Sequence, residues 1–183
     1  MAKQPREDFA LEFASPHDVP VPYMQRLKDY YLPLGYGNPY RWAQYTDVPF
    51  TKLQKPLSDT KVGLVVTCAP FQTGKGDQGP GAPYNAGAKF YRVYADSIEG
   101  NPDVRISHLG YDRNYTTAAD INTYFPLNQL KNAANEGRIG SLSPHFYGTP
   151  TNRSQVTTIK QDCADLLEGL REDGAEAAVV VAA

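Results

Sequence analysis

The chain has 183 residues, 41% of them hydrophobic and 21% charged, with a net charge of −2. That length supports one domain with a true core and would cramp two, and the composition is that of a globular protein. The near-neutral balance leaves no basic footprint for nucleic acid, no apolar run approaches the ~18 residues that span a bilayer, and two cysteines are too few for a disulfide framework. The N-terminus, MAKQPREDFALEF, places charges where a secretory leader needs apolar residues, so a cytoplasmic protein with reduced thiols is expected.

Residues 1–20 carry charges and prolines and read as a surface arm. Pro22 to Leu32 predicts a short helix, with Tyr23, Leu27, Tyr30 and Tyr31 along one side. The proline-rich stretch that follows has no sustained period, and its rings (Tyr36, Tyr40, Trp42, Tyr45, Phe50) read as packing anchors. Lys61 to Cys68, KVGLVVTC, is an unbroken apolar run, the pattern of a parallel strand covered on both faces. The Gly- and Pro-rich segment after it contains Gly74-Lys75-Gly76. A phosphate loop would need Ser or Thr after the lysine and a helix behind it, so a substrate-covering loop is expected instead.

Lys89–Tyr94 and Val104–Leu109 read as extended segments, and Thr116–Tyr124 as a short helical turn. Pro126 starts a helix that Gly137 closes, and Gly140–Pro144 reads as a small-residue loop. Residues 152–172 form the strongest helical pattern, with Val156, Ile159, Cys163, Leu166, Leu167 and Leu170 as a core stripe and Gly174 as its stop. AEAAVVVAA at 175–183 is a second apolar strand. This order predicts one α/β domain, a layered sandwich with a largely parallel central sheet. Residues 1–60, long, aromatic and Pro-rich, wrap around it, and 61–183 supply its sheet and helices.

Chemistry concentrates at 105–147. Cys68 ends the first core strand, where ligands sit in open α/β sheets, and reads either as a nucleophile or as a small buried apolar residue. His108, Asp112 and His145 offer general acid–base groups if the fold brings them together, or are structural hydrogen-bonding residues. Arg113, Asn114 and Asn122 are the candidates for holding a substrate carboxylate, or for pinning the loop. Their spacing matches no metal motif, so no metal ligand is assigned.

The block RISHLGYDRNYTTAADINTYFPLNQLKNAANEGRIGSLSPHFYGTP contains a D-I-N-x-x-F-P-L core and a G-x-I-G-S-L-x-P-x-x-Y loop. With RWAQYTDVPFTKLQKPLSDTKVGLVVT and NRSQVTTIKQDCADLLEGLREDGAEAAVVVA, it resembles the selenoprotein B family of the glycine/sarcosine/betaine reductases and D-proline reductase over residues 40–183. The middle Gly-rich loop departs from the pattern. The resemblance implies a subunit of a dithiol-dependent reductase, an oxidoreductase of amino-acid metabolism with a small substrate of the glycine, betaine, sarcosine or D-proline class. It also implies a multi-subunit complex, with a pyruvoyl-bearing subunit and a thiol or selenol carrier protein as partners and no cofactor in this chain itself. A homo-oligomer is compatible with it. The family's redox-active selenocysteine or cysteine is expected just past the strand AEAAVVVAA, beyond Ala183, so a truncation before that residue or a naturally shortened relative is expected, and Cys68 is not its equivalent. Two other readings stand beside this one: a non-catalytic binding or scaffold subunit lacking the nucleophile, and a racemase or lyase using Cys68 as base.

Overall fold

A computed structural model of the chain describes residues 22–35, 45–49, 51–70, 88–108, 118–151 and 155–182. The chain divides into two compact units, Met1–Asp47 and Val48–Ala183. In the first, helix α1 (Tyr23–Tyr31) follows Pro22, as the sequence predicts, and carries one i,i+4 hydrogen bond from Gln25 to Asp29 at 2.7 Å. Tyr45 is 64% exposed; the other four rings of the aromatic stretch lie outside the described residues.

The second unit holds the sheet. Its strands are β1 (Lys61–Val66), β3 (Tyr94–Ser97), β5 (Ser141–Gly148) and β6 (Ala177–Val181), in the order β3-β5-β1-β6. β1 runs parallel to both β5 and β6, and β3 pairs antiparallel at the β5 edge. A separate two-stranded ribbon joins β2 (Ala69–Pro70) to β4 (Val104–Arg105). β1 is flanked on both edges and buried from Val62 to Val66, which explains its unalternating Val and Leu residues.

Two strands depart from the sequence expectation. Extended pairing starts at Tyr94, not Lys89, so the 89–93 stretch leads into β3 rather than forming it. The second departure is larger: the expected loop at Gly140–Pro144 is the start of β5, a strand in the middle of the sheet. Pro144 argues against a central strand because it lacks the N–H the ladder needs. The register accommodates it with an irregularity. Val62 pairs with Leu142 and Leu64 with Phe146, so β1 advances two residues while β5 advances four.

Helix α2 (Leu127–Asn135) covers one face of the sheet. Its side of the core joins Leu64, Val66, Cys68, Val104, Ile106, Phe125, Leu127 and Phe146. Phe146 is wholly buried and meets Phe125 edge-on, with ring centroids 4.7 Å apart. The other face meets α4 (Cys163–Glu172), the last part of a helical run that begins with α3 (Gln155–Thr157) and a π turn (Thr158–Asp162). Gly137 and Gly174, both at positive φ, end α2 and α4 as predicted.

The apolar stripe of this long helix does not face the core. Asp162 is fully buried and Leu166 and Leu170 half-buried, while Val156, Ile159, Cys163 and Leu167 are exposed. The helix instead meets the sheet through Gly169, where an added Cβ would collide with the Tyr147 ring, and Leu170 beside Gly63. Close approach at a glycine rotates the apolar row to one side, which corrects the expected core role of Cys163. Among the described residues, no helix is long and apolar enough to cross a membrane.

Candidate functional site

The carboxyl end of β1 is built from Thr67, Cys68, the β2–β4 ribbon and Tyr94. Cys68 is 1% exposed. Burial pushes its thiol up to about 12, against the smaller opposing pull of its own backbone N–H and the Tyr94 hydroxyl. At neutral pH the group is therefore a thiol and not a thiolate. Tyr94 reaches the same point: its hydroxyl donates to the Cys68 carbonyl at 2.8 Å, and burial foremost raises its own pKa. The ring lies across Gly148 of β5, where a Cβ would occupy the space of the ring atoms. Ala69 pairs with Arg105 and Pro70 with Val104. Continuing that register sets Ile106 opposite Cys68 and leaves His108, two residues on and exposed, at this same end of β1.

His145 belongs elsewhere. Side chains alternate along β5, so Phe146 enters the α2-side core while Ser143, His145 and Tyr147 face α4. Asp173, at the C-terminal end of α4, receives two hydrogen bonds there. His145 Nδ1 lies 2.9 Å from Oδ1 and 3.2 Å from Oδ2, and the Tyr147 hydroxyl donates to Oδ2 at 2.7 Å. Burial works against the Asp173 charge, but the bonds from His145 and Tyr147 outweigh it and hold the carboxyl below its usual range. An ionised carboxylate only accepts, so Nδ1 is the donor of this pair. The His145 side chain is 47% exposed and that of Asp173 10%, so the imidazole meets solvent far more than its partner does. For Tyr147, burial and then the adjacent carboxylate raise the phenol pKa.

The structure thus places Cys68 and His145 on opposite faces of the sheet. Asn122 sits in the short 3-10 turn Ile121–Thr123, whose start Asp120 caps: the Asn122 backbone N–H and Nδ2 both donate to Asp120 Oδ1, at 2.9 and 2.8 Å. Its Oδ1 is buried with no hydrogen-bond partner among the described residues. Beside this turn lies a cleft of about 270 Å³, lined by Asn101, Ile121, Phe125, Leu127 and Asn128 among others. Asp112, Arg113 and Asn114 lie outside the described residues. Among the described residues, no group of three or more His, Cys, Asp or Glu side chains is placed to hold a metal ion.

Sequence reasoning did not single out Tyr94, Tyr147 and Asp173. Tyr147 closes the G-x-I-G-S-L-x-P-x-x-Y pattern, which was the available signal for it. Asp173 precedes the helix-stopping Gly174 and carried no signal of its own, because its partners lie 26 and 28 residues upstream.

The family model described as glycine/sarcosine/betaine reductase selenoprotein B matches residues 36–183. The glycine reductase complex component B subunit gamma of Symbiobacterium thermophilum is 24% identical over 145 residues, which cover 79% of this chain and 33% of that protein. The D-proline reductase subunit gamma of Acetoanaerobium sticklandii is 28% identical over 135 residues, 73% of this chain and 52% of its own length. The component B subunit gamma of Peptoclostridium acidaminophilum is 25% identical over 150 residues, 79% of this chain and 33% of its own. The chain therefore spans about a third to a half of the length of these curated relatives. No solved structure matches it. With four-fifths of the sequence under one family pattern and a mostly parallel α/β sheet beneath it, the chain belongs to the glycine/sarcosine/betaine reductase selenoprotein B family.

Proposed function

We propose that this chain is the substrate-handling part of a multi-subunit, dithiol-dependent reductase acting on a small amino-acid-type substrate of the glycine, sarcosine, betaine or D-proline class. The observation that carries the reading is the family match over residues 36–183, together with relatives named as glycine reductase and D-proline reductase subunits. In this reading Arg113, Asn114 and Asn122 hold the substrate carboxylate, and Asp112 and His108, the latter near the carboxyl end of β1, handle its proton. A pyruvoyl-bearing subunit and a thiol or selenol carrier are the partners.

Cys68 supports a substrate-side role over a redox one. A thiol at about 12 supplies almost no thiolate at neutral pH, and the attacking species in thiol–disulfide chemistry is the anion. The same burial disfavours a racemase or lyase with Cys68 as base. A scaffold role remains the second reading, because a buried Cys68 serves it equally.

The test is dithiothreitol oxidation, with each of glycine, sarcosine, betaine and D-proline in turn, by the chain alone and by the chain with the partner subunits of a family reductase and the polypeptide that bears the family's redox-active selenocysteine or cysteine. Substrate-dependent oxidation only in the mixture, lost in Arg113→Ala and His108→Ala, is the expected result. Unchanged turnover in those variants would leave the scaffold reading. Turnover by the chain alone that disappears in Cys68→Ser would overturn the proposal.

A further inference from the structure

β6 is at odds with its surroundings. Its sequence, AAVVV, is the unbroken apolar run of a strand covered on both faces, yet among the described residues it forms a free edge of the sheet, and Val180 is 70% exposed. An apolar edge strand with one side of its backbone unpaired is a template for another strand, and proteins rarely leave one bare. The bareness continues onto the sheet face. Gly63 and Val65 pair with Ala178 and Val180, so these two residues share the face that α4 covers. α4 lies over β5 and β1, through Gly169 on Tyr147 and Leu170 on Gly63, and so leaves Ala178 and Val180 open.

The helix adds a matching flank. Ile159, Cys163 and Leu167, spaced by four, are all exposed, Ile159 and Leu167 to 53% and 48%. The connection from β5 through α4 to parallel β6 takes the right-handed crossover of such units, which turns this row toward the β6 side of α4. Edge, open face and helix flank form one apolar shelf, the shape that a further β-strand and its helix fill in a layered α/β sheet. The family supplies polypeptide to fill it: between about half and two-thirds of each relative's length lies outside the stretch this chain matches.

We infer that the shelf seats a strand-and-helix unit of the family polypeptide from outside the matched stretch, its strand parallel on β6 and its helix against Ile159, Cys163 and Leu167. The inference rests on family membership and not on the proposed reaction, and its test reads no turnover.

The chain is co-expressed with the part of the Symbiobacterium thermophilum component B subunit gamma outside its 145 matched residues, and the product is sized by light scattering and probed by amide hydrogen exchange. The expected result is a 1:1 complex in which exchange across Ala177–Val181 slows at least tenfold. Val180→Glu and Leu167→Glu, both at exposed positions, should weaken it at least tenfold with unchanged melting of the chain. Gln129→Glu, on the opposite face, should not weaken it. No complex, or a complex indifferent to both substitutions, overturns the inference. So does protection of β6 in the chain alone that rises with concentration, which would make the occupant a second copy.

Discussion

Replacing Asp173 with alanine isolates the contact that ties α4 to the sheet. The substitution leaves the Tyr147 hydroxyl, on a side chain only 5% exposed, without its 2.7 Å acceptor. A buried hydroxyl stripped of its partner costs about 1–3 kcal/mol. The half-exposed His145 bond adds about 0.5–1 kcal/mol, because water replaces it easily. The sum, about 1.5–4 kcal/mol, is a large share of the ~5–15 kcal/mol that holds a typical domain folded. Tyr147→Phe removes donor and demand together and should cost only about 1 kcal/mol.

Urea unfolding at pH 7 of wild type, both single variants and the double variant measures this. The double variant should fall close to Asp173→Ala alone, giving a coupling of about 1 kcal/mol, the size of the Tyr147→Phe loss. The pH dependence has a fixed sign. The folded carboxyl titrates below the unfolded value of about 3.9, so its contribution is complete above that value and is lost as pH falls through the folded pKa. Additive single effects, or an Asp173→Ala loss that does not shrink in acid, would refute the reasoning.

Three further outcomes follow from the geometry. Native iodoacetamide treatment at pH 7.5 should add one label, on exposed Cys163, and a second on Cys68 only after unfolding, as peptide mass spectrometry would show. Gly148→Ala should cost about 1–3 kcal/mol by thermal melting, since its methyl group meets the Tyr94 ring, whereas Tyr94→Phe gives up one hydrogen bond and about 0.5–1.5 kcal/mol. Phe146→Ala, at the wholly buried centre of the core, should be the most damaging at about 3–5 kcal/mol in urea unfolding.

Much of the fold was legible in the chain because local pattern and tertiary setting agree. KVGLVV is apolar without alternation and lies between two strands; Pro126 and Gly137 bracket α2 as their backbone preferences demand. The misreadings arose where a long-range contact overrides a local rule. Pro144 hid β5, since its missing N–H is tolerated only where the register shifts against β1. The helix stripe misled because small Gly169, invisible to an apolar count, is the residue that lets α4 close on the sheet. Of the candidate site, Cys68 lies two residues past the end of β1 rather than closing the strand, and it is packed in one core with Ile106 and Phe146, far off in sequence. The His145–Asp173–Tyr147 group needed the closure of β5 against α4, which no spacing along the chain announces.

The irregular register opposite Gly63 has a consequence for how this part of the chain can change length. Phe146 and Leu142 share a face because an even number of steps separates them. Losing or gaining one residue between them would turn everything downstream over, sending Tyr147 into the aromatic core and Phe146 against α4. A change of two would keep the faces intact and alter only the size of the irregularity. Length variation at this point is therefore under a parity rule, much as a coding sequence is under a rule of three, and functional variants should differ here by even counts.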